Sequence, residues 1–198
     1  MKNILITGGL GYIGSSLLQQ IDFENLNKII IVDLDLFKTK NQIDLILKEK
    51  CIEYKVIIKN INFVNTIALD KIFKNYQINT VIHLGGLVGD PACAFNIELT
   101  NKINSIATHD LIDLSIKYKV AKFIYASTCS VYGINKEICS EKTDPRPISE
   151  YAKSKLDGEY KLHAVKNKFD EIIILRFSTL YGVSKRIRFD LVGNLFYA

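Results

Sequence analysis

The chain opens with a short apolar stretch that runs directly into three regularly spaced glycines. Residues 3–7 are rich in isoleucine, as in a strand buried on both faces of a parallel sheet. Gly8, Gly11 and Gly14 follow, and apolar residues at helical spacing continue through residues 15–21. This order predicts a pyrophosphate site, because the glycines let the backbone approach the phosphates and the helix N-terminus offers free N–H groups. A simple glycine-rich loop is the alternative.

A second apolar stretch ends on an acidic residue that fits the same kind of site. Residues 28–32 are almost purely apolar and are followed by Asp33, 19 residues beyond Gly14. A carboxylate near this spacing binds the adenosine ribose hydroxyls in dinucleotide-binding folds, so the two features together favour dinucleotide binding. The alternative role for Asp33 is to cap the segment that follows it.

Strand-like and helix-like stretches alternate along the rest of the chain. The further predicted strands are residues 54–58, 80–84, 121–126 and 171–175, and the predicted helices are residues 41–50, 67–76, 98–118 and 150–168. Residues 85–91 and 133–149 are predicted as loops. The alternation predicts an α/β fold, a Rossmann-type doubly wound parallel sheet with helices on both faces. Ligands of such sheets bind beyond the C-terminal strand ends.

Composition and charge restrict the classes of function. The 198 residues, 48% of them hydrophobic, suffice for one domain with a sizeable core. No apolar run is long enough to span a membrane, and glycines interrupt the N-terminal one, so we expect neither an anchor nor a signal peptide. The net charge of +5 is dispersed, which argues against nucleic-acid binding and suits an anionic substrate. Four cysteines without a C-x-x-C pair favour reduced thiols in a cytoplasmic protein and no metal site.

A tyrosine and a lysine four residues apart form the candidate catalytic pair. Tyr151 and Lys155 share one face of the predicted helix 150–168. A free tyrosine has a pKa near 10, and a neighbouring ammonium favours the phenolate, which suits Tyr151 to acid/base chemistry on an alcohol or ketone. Thr128, at a strand end, offers a hydroxyl to the same substrate oxygen. Taken alone, the pair is typical of an ordinary surface helix and Thr128 of a turn.

Six motifs, in order and spacing over nearly the whole chain, resemble the extended short-chain dehydrogenase/reductase family, the NAD-dependent epimerase/dehydratases of nucleotide sugars. The motifs are TGGLGYIG at residues 7–14, VIHLGG at 81–86, Asn104, YASTCSVYG at 125–133, Tyr151-x-x-x-Lys155 and RFSTLYG at 176–182. Their combination is specific for the family and only weakly specific for the reaction.

The resemblance implies a role for each matching residue. Tyr151 would be the acid/base, Lys155 would hold the nicotinamide ribose and lower the pKa of the tyrosine, and Thr128 would complete the triad. Asp33 would bind the adenosine ribose and favour NAD over NADP. The other expected cofactor-binding residues are Gly8, Gly11, Tyr12, Ile13, Gly14, Asn60, Ile61, Leu84, Gly85, Gly86 and Asn104. His83 lies inside a predicted buried strand and is expected to be a satisfied core residue rather than a catalyst.

The chain departs from the family pattern in three respects. Asn60 stands where an acidic residue is usual. Thr179 stands where asparagine is common, so Thr179, Arg186 and Asn194 join Thr128 as the candidate substrate-binding residues. Family members usually continue well beyond residue 198. We therefore divide the chain into an NAD-binding Rossmann domain, residues 1–182, and the start of a truncated substrate-binding region, residues 183–198, with a helix predicted at 189–197. Such a chain is expected to bind NAD and to turn over a nucleotide sugar poorly or not at all.

The residues after Thr128 bear on the type of reaction. The 4,6-dehydratases that this chain resembles carry Asp-Glu at that point, and related decarboxylases also place a glutamate there. Cys129 and Ser130 occupy these positions, and neither residue type is a useful acid at neutral pH. The first hypothesis is therefore an NAD-dependent nucleotide-sugar epimerase or dehydrogenase that transfers hydride at a sugar hydroxyl carbon.

Other functions are compatible with the sequence. The alternatives are a 4-reductase, a dehydratase, or a catalytically weak NAD-binding domain that serves as a sensor or remnant. A nucleic-acid-binding module ranks far behind them. The resemblance also implies a homodimer built on the predicted helix 98–118 and the helix that carries Tyr151, with Ile112 and Ile116 as apolar positions left for the partner.

Overall fold

Six parallel strands form a single sheet in the computed structural model, which describes residues 2–196. The strands are β1 Lys2–Thr7, β2 Leu26–Asp33, β3 Val56–Asn60, β4 Thr80–His83, β5 Lys122–Thr128 and β6 Glu171–Phe177. Their spatial order is β3-β2-β1-β4-β5-β6, and each neighbouring pair is parallel. The strand order reverses between β1 and β4, which is where ligands bind in doubly wound sheets. The predicted α/β fold is confirmed.

Helices connect successive strands and cover both faces of the sheet. They are α1 Tyr12–Gln20, α2 Lys40–Glu49, α3 Thr66–Tyr76, α4 Asp90–Phe95, α5 Ile97–Thr100, α6 Ala107–Lys117, α7 Glu150–Ala164 and α8 Val192–Leu195. A π-helical turn, Asn101–Ile106, joins α5 to α6. Within residues 2–196, no helix has the length and apolar character needed to cross a membrane.

The apolar strands build one core on each face of the sheet, because successive strand side chains point to opposite faces. Leu5 and Ile30 face the α3 and α6 side, whereas Ile6 and Ile31 face the α1 and α2 side, and all four are fully buried. The unbroken isoleucine runs of β1 and β2 are thus explained by burial on both faces. The stacked strands hold the turns that follow them in a fixed relation at the C-terminal edge.

Several predicted boundaries are wrong by a few residues. A 3₁₀ turn, Glu53–Lys55, delays the third strand to residue 56. The predicted long helix is divided by the π-helical turn. Helix α4 begins within the last two residues of the predicted loop 85–91 and has a proline in its first turn. The last predicted helix, 189–197, is observed only as α8, and its final residue lies outside the described residues.

One of the two apolar positions that we assigned to a partner subunit, Ile112, is wrong, because its side chain is buried within the chain. Ile112 is fully buried in the core between α6 and the sheet, and Ile116 packs against that core. Both therefore serve the fold of one chain. The exposed isoleucines in this region are Ile97 and Ile106, with 55% and 52% of their surface accessible.

Candidate active site

A cleft of about 690 Å³ opens at the C-terminal edge of the sheet. Its wall combines the glycine turn after β1, the ends of β2, β4 and β5, the start of α7 and the segment after β6. The expected site residues in this wall are Gly8, Gly11, Tyr12, Ile13, Gly14, Asp33, Ile61, Leu84, Gly85, Gly86, Thr128, Tyr151, Lys155, Thr179 and Arg186. The fold thus brings most of the residues proposed from sequence into one place.

The glycine turn is tight enough to exclude side chains. Gly8 has φ of +69°, and a Cβ built on it would lie 2.7 Å from the backbone nitrogen of Gly85. A Cβ on Gly14 would lie 2.5 Å from Cα of Gly9. Helix α1 begins just after Gly11, which makes no side-chain cap hydrogen bond, and its first turn carries no acidic residue. The first N–H groups of α1 therefore suit an anionic group such as a pyrophosphate.

Asp33 is held at the end of β2 by backbone donors. Its Oδ2 accepts a hydrogen bond from the N–H of Leu10 at 3.0 Å, and its Oδ1 accepts one from the N–H of Asp35 at 2.9 Å. A carboxylate offers about four lone-pair sites, so acceptor capacity remains for the hydroxyls of a ribose. The carboxylate is oriented by the glycine turn itself, and it lines the cleft.

Tyr151 lies in the first turn of α7, which begins with a side-chain cap: the N–H of Ala152 donates to Oγ of Ser149 at 3.2 Å. Burial raises the pKa of Tyr151 to about 12, while the neighbouring Thr128 hydroxyl acts in the opposite direction. The phenol is therefore protonated at neutral pH. Desolvation outweighs the contact with Thr128, so the pKa lies above the ordinary value for tyrosine.

Lys155 is almost fully buried beneath the cleft. Its Nζ donates to the carbonyl oxygen of Ala126 at 3.0 Å and lies 5.1 Å from the ring centroid of Tyr125. Burial lowers the pKa of Lys155 to about 8. A buried lysine with this pKa changes charge close to neutral pH, which a surface lysine does not.

This pKa predicts a pH-dependent contribution of Lys155 to stability. The unfolded lysine titrates near 10.5 and the folded one near 8, so the unfolded chain binds more protons between these values. The free energy of unfolding should therefore rise with pH across this window, by up to about 1.4 kcal/mol per pH unit. In the variant Lys155→Met this rise should be absent. Urea unfolding at pH 8, 9 and 10 measures it, and the exposed neighbour Lys153→Met should retain the wild-type rise. Parallel curves for wild type and Lys155→Met would contradict the assignment.

Asn104 is not in the cleft wall itself but lies directly behind Gly86 and Leu87, which line the cleft. Its Oδ1 accepts from the N–H of Leu87 at 2.8 Å, and its Nδ2 donates to the carbonyl oxygen of Leu87 at 2.9 Å and to Oγ of Ser154 at 3.2 Å. The amide is thus engaged by protein atoms on both sides. In this geometry Asn104 holds the loop after β4 against α7.

Two further asparagines also lie outside the cleft wall. Asn60 is exposed at the end of β3, and the next residue, Ile61, lines the cleft in its place. Asn194 is buried on α8, where Oδ1 accepts from the N–H of Gly182 at 2.8 Å and Nδ2 donates to the carbonyl oxygen of Arg188 at 3.0 Å. Asn194 therefore holds the segment after β6 in its fold.

His83 behaves as the core residue that the sequence indicated. It is fully buried, with Nδ1 2.6 Å from Oγ1 of Thr7 and Nε2 2.9 Å from Oγ1 of Thr108. Burial lowers the pKa of His83 to about 3, so the ring is neutral at physiological pH. Both ring nitrogens are satisfied, and the side chain fastens β1 and α6 to β4.

Several charged residues near the cleft were not predicted from the sequence. Arg188 lies in the cleft wall within electrostatic reach of Tyr151 and is paired with Asp190. Glu159 is buried on α7 and paired with Arg176 at the end of β6. Glu159 follows Lys155 by one helical turn, so helical periodicity places it on the catalytic face. No local sequence pattern around Arg188 indicates that it lies in the cleft wall.

Comparison with known proteins relates the whole arrangement to one enzyme family. The model of the NAD dependent epimerase/dehydratase family matches residues 4–192. An uncharacterised protein of Methanocaldococcus jannaschii is 31% identical over 91% of this chain and 57% of its own length. The dTDP-D-glucose 4,6-dehydratase of Dictyostelium discoideum is 34% identical over 92% of this chain and 44% of its own length.

Solved structures agree with this relationship. The UDP-glucose 4-epimerase of Thermotoga maritima with UDP-glucose has a TM-score of 0.78 at 28% identity, over 91% of this chain and 56% of its own. The UDP-glucuronic acid 4-epimerase of Bacillus cereus in complex with NAD has a TM-score of 0.81 at 28% identity, over 98% of this chain and 60% of its own. The chain spans about half the length of the curated relatives it matches.

Proposed function

Because the chain belongs to the NAD-dependent epimerase/dehydratase family, we propose that it is an NAD-dependent nucleotide-sugar epimerase or dehydrogenase. The reaction would transfer hydride at a sugar hydroxyl carbon. The observation that carries this proposal is the single cleft wall that holds the glycine turn, Asp33, Thr128, Tyr151 and Lys155. The chain covers about half of its relatives, so the activity and substrate of the whole protein are part of the same proposal.

The residues of the cleft fit NAD. The first N–H groups of α1 would hold the pyrophosphate, Asp33 the adenosine ribose, and Lys155 the nicotinamide ribose. The crowding of Gly8 against Gly85 keeps this part of the cleft free of side chains. When bound, NAD accepts hydride from the sugar carbon and brings a positive charge to the nicotinamide end.

The chain's own residues would move the proton. Tyr151 would take the proton of the sugar hydroxyl on its phenol oxygen, and the Thr128 hydroxyl would orient the same sugar oxygen. Because the pKa of Tyr151 is about 12 in this site, a nearby positive charge is needed to favour the phenolate. Arg188 acts on Tyr151 in this direction, and Lys155, fixed on the carbonyl oxygen of Ala126, would supply a further positive charge below its pKa of about 8.

The alternative reaction is dehydration, which the names of three of the relatives describe. The Dictyostelium, human and bovine relatives are dTDP-D-glucose 4,6-dehydratases. Expelling a hydroxyl group as water requires an acid beside it. Cys129 and Ser130 line this part of the cleft and place a thiol and a hydroxyl there instead of carboxyl groups. The cleft therefore favours hydride transfer without loss of water.

An assay against a panel of UDP-, dTDP- and GDP-sugars tests the proposal. NADH absorbance at equilibrium reports oxidation of the sugar, and chromatography identifies the products. A sugar epimer or a keto-sugar with all hydroxyl carbons retained supports the proposal. A 4-keto-6-deoxy product would identify a dehydratase instead. Tight NAD binding with no turnover of any sugar would favour the sensor or remnant.

We predict a preference for NAD over NADP of at least about tenfold, which corresponds to about 1.4 kcal/mol. The carboxylate of Asp33 at the end of β2 would repel a phosphate on the adjacent ribose hydroxyl. Titrating both cofactors by calorimetry measures the ratio of their dissociation constants. The variant Asp33→Asn should show a smaller preference for NAD, because the amide carries no charge. Equal or tighter binding of NADP by the wild type would refute the assignment of Asp33.

We also propose a homodimer in the cytoplasm. The homodimer rests on the family resemblance and on the exposed Ile97 and Ile106 beside α6, in place of the buried Ile112. The cytoplasmic location rests on the four free cysteines. Light scattering that shows only monomer at micromolar concentration would contradict the dimer.

A further inference from the structure

The segment after β6 lines the cleft and is fastened to the start of α1. We call residues 178–191 the strap. Oγ of Ser184 donates to the carbonyl oxygen of Tyr12 at 2.8 Å and lies 2.8 Å from Oγ of Ser15. The phenol of Tyr12 donates to the carbonyl oxygen of Gly182 at 2.9 Å. The strap is thus anchored on the same helix whose first turn suits a pyrophosphate.

Arg186 of the strap contacts a residue on the opposite side of the cleft. The guanidinium carbon of Arg186 lies 3.5 Å from the ring centroid of Phe37, which follows β2 in the loop beyond Asp33. Both side chains line the cleft, yet Phe37 keeps 62% of its surface accessible. The stacked pair therefore forms a wall at the Asp33 end of the cleft, and one face of it is open.

The charge of Arg186 is available in this position. Arg188 is paired with Asp190, whereas no ion pair of Arg186 is found within residues 2–196. Burial and the nearby Arg188 lower the pKa of Arg186, and the charges of Asp190 and Asp33 act in the opposite direction. Arg186 is thus within electrostatic reach of Asp33. An arginine keeps its charge at any physiological pH.

We propose that Arg186 of the strap, which the family pattern suggested as a substrate-binding residue, instead binds the adenosine half of NAD, which it would flank with its guanidinium opposite Asp33. The inference rests on the proposed cofactor. The contact would be made by the open face of the stacked pair of Arg186 and Phe37. A guanidinium plane also stacks on aromatic faces, as Arg186 already does on Phe37, and adenine presents such a face.

This role of Arg186 concerns only the adenosine half of the cofactor, and it couples cofactor binding to the position of the strap. Because the contact is with the adenosine half, Arg186→Ala should weaken NAD and ADP-ribose by the same factor. Because Arg186 is carried by the strap, bound ADP-ribose should protect the strap from trypsin, which cleaves after Lys185, Arg186 and Arg188. Neither readout depends on turnover.

Calorimetric titration of the full chain with NAD and with ADP-ribose tests the inference. Arg186→Ala should raise both dissociation constants about tenfold. The dissociation constants of Arg186→Lys should lie between those of wild type and Arg186→Ala, because lysine keeps the charge but cannot stack as a plane. Lys185→Ala removes the same charge from the exposed neighbouring residue and should stay within about twofold of wild type.

The outcomes separate this inference from the proposed function. A wild-type chain that binds neither NAD nor ADP-ribose would overturn the proposed cofactor. Wild-type binding with an unchanged dissociation constant for Arg186→Ala would overturn the role of Arg186 alone. Should Arg186→Ala fail to fold by circular dichroism, Phe37→Leu removes the stacking partner without altering the strap. Weaker ADP-ribose binding by Phe37→Leu would support the inference, and unchanged binding would overturn it.

Discussion

Tyr151→Phe should lower turnover by at least about a hundredfold, the usual contribution of a positioned acid/base, and leave NAD binding nearly unchanged. The phenol oxygen is the proposed proton carrier, and phenylalanine keeps the ring but not that oxygen. The ring fills the same space in the cleft wall, so the fold and the cofactor site should persist. Steady-state kinetics of an active form with its sugar substrate, together with calorimetric titration of NAD, separate the two effects.

The control for this variant lies on the same helix. Tyr160 is on α7 with 57% of its surface accessible, outside the cleft wall. Tyr160→Phe removes the same atom from the same element and should retain wild-type turnover. Near-normal turnover by Tyr151→Phe would show that another group carries the proton. A large loss in both variants would point to a general disturbance of α7.

Arg176→Met should lower the free energy of unfolding by about 3–5 kcal/mol, because it leaves a buried carboxylate without its partner. Glu159 has only 1% of its surface accessible. Nε of Arg176 lies 3.1 Å from both of its carboxylate oxygens, and Nη2 lies 2.6 Å from Oε2. The Ser127 hydroxyl also donates to this carboxylate. The pair ties α7, one turn beyond Lys155, to the ends of β5 and β6.

A second ion pair between the same two strands is a matched control. Lys122 of β5 and Glu171 of β6 are 2.7 Å apart at the other end of the sheet, where both side chains are accessible. Lys122→Met should cost less than about 1 kcal/mol by urea unfolding. The double variant Glu159→Leu with Arg176→Met should regain much of the loss, since neither charge is then buried alone. Equal losses from Arg176→Met and Lys122→Met would refute this account.

The parts of the site that the sequence revealed are those that depend on local pattern. The isoleucine runs of residues 3–7 and 28–32 fix two strands buried on both faces, and parallel pairing then brings the turn after Gly8 beside Asp33. Tyr151 and Lys155 needed only helical periodicity to share one face. Each of these features follows from neighbours within a few residues along the chain.

The features that the sequence did not reveal depend on contacts between distant residues. Nothing near Arg186 indicates that it will meet Phe37, because the two come together only when the strap folds back to line the cleft. The pKa of about 8 for Lys155 results from burial by the surrounding elements rather than from its own helix. The family motif singled out Asn104, but only the structure shows that Leu87 and Ser154 occupy its amide.

Because of the π-helical turn over Asn101–Ile106, the position of Asn104 depends on the number of residues in this turn as well as on their side chains. Such a turn accommodates one residue more than the α-helix around it. Deleting one residue there would allow an uninterrupted α-helix into α6, with good backbone hydrogen bonding. Every residue before the deletion would then rotate by about 100° relative to α6. The hydrogen bonds between the Asn104 amide and the backbone of Leu87 would be lost even though the asparagine is retained. Among relatives, a single-residue gap at this point should therefore accompany a different anchoring of the loop after β4.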